Sequence, residues 1–149
     1  MAIGRLDEPS EGLLLLTTDG KNSEAVRSNK VEKEYYAQVD GIITTEAIQA
    51  LTVGVEIGFN GKKYQTKNCK VRKIEVPDLP PRTQKIRDSR HGPTSWISIT
   101  LTEGKFRQVR KMTAAVRFPT LRLIRWRIGA LNLGNLKAGE VLPVESFLL

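Results

Sequence analysis

Between Gly104 and Leu131 the apolar residues change their spacing once, and this constrains the fold more than any other feature of the chain. Phe106, Val109, Met112 and Val116 recur at helical spacing and make one burying stripe. Pro119 follows, and "TLRLIRWRIGAL" then reads as a strand with Leu121, Leu123 and Arg125 on one side. Arg107 and Lys111, four residues apart, point away from the helical stripe, while Arg110 stands on its border. An Arg-rich amphipathic helix feeding a strand forms one compact basic unit.

The remaining elements are shorter. "EGLLLLTTDG" reads as a short buried strand stopped by Asp19-Gly20, and "NSEAVRSN" as one short helix capped by Asn22 or Ser23. "KEYYAQVDG" alternates as a strand should, which sends Tyr35 and Tyr36 to opposite faces. "TTEAIQALTVG" has a capping threonine at 44 or 45, Glu46 in the first turn, Ile48 and Leu51 on one face, and Gly54 as a stop. Residues 55–76 read as short antiparallel strands, with an Asn-Gly hairpin turn in "FNGKK". The Pro-rich, charged stretch "VPDLPPRTQKIRDSRHGPTS" reads as a long loop, and "SWISITL" as a strand.

The length of 149 residues fits one domain, expected over residues 1–149, and no repeat or low-complexity tract divides it. Cys69 and His91 are each alone, so an internal disulfide is excluded and a zinc site disfavoured; no metal is expected. The longest apolar run near the start is Leu13–Leu16, far below the roughly 20 residues of a spanning helix. Asp7, Glu8 and Glu11 make the N-terminal stretch unlike a signal peptide. The expectation is a cytoplasmic protein with no membrane partner, and a monomer.

With 24 Lys and Arg against 16 Asp and Glu, the net charge is +8. Residues 103–127 hold eight basic residues and one acid, Glu103, which leaves seven of those eight charges in one segment. Six of the eight bases are Arg, the residue suited to bidentate phosphate contact. With so few acids in the segment, the expectation is a patch facing a polyanion rather than a salt-bridged helix. No major-groove reading motif is visible, so structured RNA fits better than duplex DNA. P-loop, dinucleotide and nucleophile-elbow templates all fail. Asp7, the arginine helix and the tyrosines remain as carriers of chemistry.

"GRLDEPSEGLLLLTTDG" closely resembles the signature of the Rsu-type pseudouridine synthases: Gly-Arg-Leu-Asp, a polar stretch, Gly-Leu-Leu, then Thr-x-(Asp/Asn)-Gly. "KEYYAQVDG" resembles that family's Lys-x-Tyr strand, and "EGKFRQVRKM" its Glu-Gly-x-x-Arg-Gln-(Val/Ile)-Arg-(Arg/Lys)-Met helix. "FPTLRLIRWRIGALNLGNLKAGE" is similar to its closing segment, and all four motifs stand in family order. "GPTSWISITL" resembles the stretch before the arginine helix in a member acting on the large ribosomal subunit that lacks the S4-type RNA-binding domain.

The resemblance implies an α+β fold, with a mixed, mainly antiparallel sheet and a few packed helices, as one catalytic domain without an S4-type domain. It implies isomerisation of a uridine within ribosomal RNA, of the large subunit, with no cofactor. The N1–C1′ bond is broken, the uracil turned, and the base rejoined through C5. Asp7 would be the carboxylate acting at the ribose, by attack on C1′ or by proton removal at C2′. Such a carboxylate must stay ionised where desolvation would raise its pKa, and Arg110 matches the family's pairing arginine. Tyr35 matches the tyrosine that stacks on the uracil, and Lys33 would support Tyr35 or a phosphate. Arg5 would hold the RNA stack open beside the flipped nucleotide, with Leu123 as an aliphatic wall opposite Tyr35. Lys105, Arg107, Lys111 and Arg125 would contact RNA. Only three residues precede Gly-Arg-Leu-Asp, where family members carry several dozen that include a strand with a Lys-Pro pair. The expectation is therefore a sheet lacking its N-terminal strands, with a sheet edge exposed or filled by another chain. An RNA-binding module without a competent pocket is the alternative.

Overall fold

The computed structural model describes residues 2, 3, 6, 9–16, 31–79, 92–105, 107–134 and 136. The strands, in chain order, are β1 (Ala2–Ile3), β2 (Glu11–Gly12), β3 (Leu15–Leu16), β4 (Lys33–Asp40), β5 (Glu56–Phe59), β6 (Lys62–Gln65), β7 (Lys70–Ile74), β8 (Thr94–Leu101), β9 (Thr120–Ile128) and β10 (Leu131–Asn132). The helices are α1 (Thr45–Val53) and α2 (Gln108–Ala115). The short helix expected at 22–29, most of the Pro-rich loop with His91, and Phe106 of the helical stripe lie outside the described residues.

The sheet is built around β4, which pairs antiparallel with β8 on one side and β9 on the other. The strand order is β10-β9-β4-β8-β7, and β2 joins β9 in parallel. The result is the expected mixed, mainly antiparallel α+β arrangement. β8 lies between two partners and is buried along nearly its whole length, so its serines must find internal acceptors. Ser95 Oγ donates to the Gly41 carbonyl at 2.7 Å, and Ser98 Oγ to the Glu34 carboxylate at 2.6 Å.

One sheet face is apolar and carries the helices. Ala37 and Val39 of β4, Ile97 and Ile99 of β8 and Leu123 of β9 meet Ala47 and Leu51 of α1 and Val109 and Met112 of α2 in one core. Fully burying a side chain of Leu or Met size stabilises by about 1.5–3 kcal/mol, which explains why a stripe this narrow suffices to fix α2. Helix α1 begins where Thr44 Oγ1 accepts from the Ala47 amide at 3.2 Å and stops at Gly54, whose φ is 118°. β5 and β6 form the hairpin read from Asn60-Gly61, both residues with positive φ.

The run Leu13–Leu16 departs from the single strand expected of it. Glu11 and Gly12 pair with β9, whereas Leu15 and Leu16 pair with β1. Leu13, between them, is buried in a second small cluster with Val31 and Ile128. Two different partners pull one apolar run apart.

Candidate active site

Period-two alternation along β4 places Lys33 and Tyr35 on the helix-covered face and Glu34 and Tyr36 on the other. Tyr36 stacks on Trp126 with ring centroids 5.1 Å apart. Burial, with Glu34 beside it, pushes its hydroxyl above the ordinary tyrosine value. Tyr35 packs at the margin of the main core, directly across from Ile99 on β8 and Arg125 on β9. The β4–β9 register shifts between Glu34 and Tyr35, and such a bulge re-aims the side chains at that point. Leu123 faces Ala37, two positions along β9 from Arg125, and is 6% exposed.

Lys33 and Arg125 are buried beside Tyr35. Lys33 Nζ lies 3.4 Å from the Thr102 carbonyl, and burial together with the neighbouring Arg125 holds its pKa below the ordinary lysine value. Arg125 Nε donates to the Leu13 carbonyl at 2.8 Å. Arg125 therefore sits beneath the signature segment rather than on an open phosphate-binding surface.

Asp7 and Arg5 lie outside the described residues, but the stretch that follows them is well anchored. Gly12 pairs with Arg125 in the parallel β2–β9 ladder, and the Leu13 amide donates to the Arg125 carbonyl at 3.0 Å. A Cβ at Gly12 would lie 2.3 Å from that carbonyl oxygen, and its φ is 118°, so glycine is required twice over. Glu11 takes a fork of two bonds from Arg122, at 2.8 and 2.9 Å. From the other side, Arg110 Nη2 donates to Ser10 Oγ at 3.0 Å. Ser10, three residues beyond Asp7, thus lies between α2 and β9, and Arg110 on the border of its helix is the side chain that reaches it.

Helix α2 starts unusually. Arg107, its N-cap, is left-handed at φ 53° and offers no side-chain cap. Gln108 supplies the missing order: its Oε1 accepts from the Lys105 amide at 3.1 Å and its Nε2 donates to Glu103 at 3.1 Å. Glu103, 2% exposed, also accepts from the Lys67 amide at 2.8 Å and from the Tyr64 hydroxyl. Burial alone would raise the Glu103 pKa, yet these donors hold it below the ordinary carboxylate value. The same bond pushes Tyr64 up to about 12. Lys105 lies 5.1 Å from the Phe59 ring and 5.2 Å from that of Tyr64, and Lys111 Nζ donates to the Gly58 carbonyl at 2.9 Å. Lys105 and Lys111 thus sit with the β5–β6 hairpin, and Arg107 is exposed at the same helix start. The Glu103–Gln108–Tyr64 cluster was not read from sequence. Its one signal was Glu103 standing as the lone acid among eight bases.

The strand half of the basic segment is nonetheless paired with acids. Arg122 pairs with Glu11, and Arg127 with Glu34 at 3.1 Å and Glu32 at 3.8 Å. These acids come from distant parts of the chain. Among the described residues no three His, Cys, Asp or Glu side chains gather as a metal site would require, and no helix is long and apolar enough to cross a membrane. Cys69 is held up to about 11 by burial and by Glu103.

This fold, with an arginine helix and a sheet strand meeting the Ser10–Leu13 stretch, has known counterparts. A family profile described as RNA pseudouridylate synthase matches residues 1–115, and the chain belongs to that family. Ribosomal large subunit pseudouridine synthase E of Xanthomonas campestris pv. campestris is 43% identical over 142 residues, covering 93% of this chain and 74% of the relative. The protein of the same description from Vibrio parahaemolyticus is 41% identical over 141 residues, again covering 93% of this chain but 58% of the relative. The chain thus spans little more than half the length of that curated relative. A crystal structure of a pseudouridylate synthase superposes with a TM-score of 0.67 at 30% identity, covering 89% of this chain and 50% of that one.

Proposed function

We propose that this chain is a catalytic domain that converts a uridine of large-subunit ribosomal RNA to pseudouridine, with Asp7 as the reacting carboxylate. The observation that carries this reading is the anchoring of the segment just after Asp7: Ser10 is bound by Arg110 of α2, and Gly12 and Leu13 by Arg125 of β9, the residue facing Tyr35. Three motifs far apart in sequence are drawn to one place. The relatives named as ribosomal large subunit synthases support the choice of RNA.

In this reading Arg110 is the opposite charge that keeps Asp7 ionised in a closed pocket, where desolvation would otherwise protonate it. Tyr35 supplies a face for the extruded uracil, and Leu123 lines the apolar side. Arg5 enters the RNA beside the flipped nucleotide. Lys33 and Arg125 hold the site from below, while Lys105, Arg107 and Lys111 meet the phosphate backbone. The reaction is an isomerisation within one nucleotide and calls on no metal or organic cofactor.

Tritium release from RNA labelled at uridine C5 tests it. The unmutated chain releases tritium from protein-free large-subunit ribosomal RNA, and Asp7→Asn abolishes release while RNA binding stays largely intact. Undiminished release by pure Asp7→Asn refutes the role of Asp7. RNA binding without release by the unmutated chain leaves only an RNA-binding module.

A further inference from the structure

We propose that the β5–β6 hairpin is a second RNA-contacting element, with Lys62 as its phosphate contact, joined to the start of α2 as one rigid surface. This deepens the reading of α2 as an RNA-facing helix and rests on it.

The arginines of β9 point to the hairpin by elimination of charge. Arg122 and Arg127 are paired with carboxylates, and Arg125 is buried, so the outward field of the basic segment narrows to α2, with Arg107 exposed at its start and Arg117 just past its end. Of the six Lys and Arg in the neighbouring stretch 56–73, Lys63, Lys70 and Arg72 are paired with Glu56, Glu32 and Glu34, and Lys62, Lys67 and Lys73 are the positive charges that remain among the described residues. The positive field of this stretch adjoins that of Lys105, Arg107 and Lys111.

Alternation then sorts the hairpin's two lysines. Phe59 stands opposite Lys62 and Ile57 opposite Tyr64, so these four share one face. It is the face turned to α2: Ile57 is in the main core, and Lys105 lies over the rings of Phe59 and Tyr64. Lys63 stands opposite Gly58, on the other face, and bridges Glu56 at 3.4 Å. Lys62 is exposed, and among the described residues no carboxylate lies within 4.0 Å of it.

The surface is also stiff where it needs to be. Glu103 gathers Tyr64 and Lys67 from the hairpin side and Gln108 from α2, and Lys111 adds a bond to Gly58. A hairpin fastened at its base and at its edge loses little freedom when RNA settles on it, which preserves the gain from each phosphate contact.

The pair Lys62→Glu and Lys63→Glu provides the test, because both change net charge equally in the same hairpin on opposite faces. Binding is measured by fluorescence anisotropy on protein-free large-subunit ribosomal RNA over a series of salt concentrations. Lys62→Glu is expected to weaken binding about tenfold and to flatten the salt dependence by at least one unit of slope. Lys63→Glu is expected to stay within about twofold. Equal losses in both variants, or no loss in Lys62→Glu, overturn the proposal. Failure of the enzymatic reading is separate: it appears as absent tritium release by the unmutated chain and leaves the anisotropy result readable.

Discussion

The basic segment divides at Pro119 into two regions that use the same kind of side chain in opposite ways. Before it, Arg107 is exposed at the mouth of α2, and Lys105 and Lys111 border the hairpin. After it, Arg122, Arg125 and Arg127 are turned into the protein: one forks onto Glu11, one ties the Leu13 carbonyl, and one joins Glu34. Net charge along a sequence therefore overstates net charge at a surface. Sheet arginines can meet acids more than a hundred residues away, as Arg122 meets Glu11, whereas a helix terminus sees mainly its local neighbours. The first region leaves its charge at the surface, and the second holds Glu11 and Leu13 in place.

That division can be broken most severely at Gly12. Gly12→Ala forces a Cβ into the Arg125 backbone at a positive φ, with an expected loss of about 3 kcal/mol or more in urea unfolding. A loss below about 1 kcal/mol would show that the β2–β9 ladder is not the anchor described. Arg122→Ala comes next. It removes a partly buried fork and leaves Glu11 unanswered, for an expected loss of about 1–2 kcal/mol. Arg107→Gly is the mirror case, since glycine accepts the left-handed conformation that arginine occupies there. Its stability stays within about 1 kcal/mol of the parent, while RNA affinity falls several-fold. If Arg122→Ala cost only RNA affinity and Arg107→Gly only stability, the two regions would have been assigned the wrong way round.

The smallest effect is a pH dependence confined to the first region. Glu103 is depressed in the folded protein, so its contribution is present above the ordinary value of 4.5 and is lost as pH falls through the lower folded value. Tyr64 is raised to about 12, so its contribution is complete below pH 10 and is lost as pH rises through about 12. Melting temperatures of Glu103→Gln should therefore fall less steeply below pH 4.5 than those of the parent. An unchanged acid slope would mean that the cluster does not couple hairpin to helix through an ionised carboxylate.

Local chemistry was legible in the sequence wherever the determinants are neighbours. Thr44 and Gly54 bound α1, Asn60-Gly61 marks the hairpin, and the alternation in "KEYYAQVD" sends the two tyrosines to opposite faces. The run Leu13–Leu16 could not be divided by reading, because each half is claimed by a different strand, β9 and β1. The pairing of β9's arginines escaped for the same reason, since their carboxylates come from residues 11, 32 and 34. Of the candidate site, the residue types were visible, as was the border position of Arg110. Its bond to Ser10 and the burial of Lys33 and Arg125 follow only from the sheet order.

The parallel seat of β2 on β9 also sets an order of events. Its Arg122–Glu11 bond closes a separation of 111 residues, and Arg125–Leu13 one of 112. Contacts that distant form slowly, because the loop they close must first be restrained by nearer ones. The hairpins and β4–β8 can assemble early, but the Glu11–Leu13 stretch cannot take its seat until β9 has been made. In a chain folding during synthesis, β2 is therefore seated only after the strand it joins, so that its ladder reports an assembled sheet.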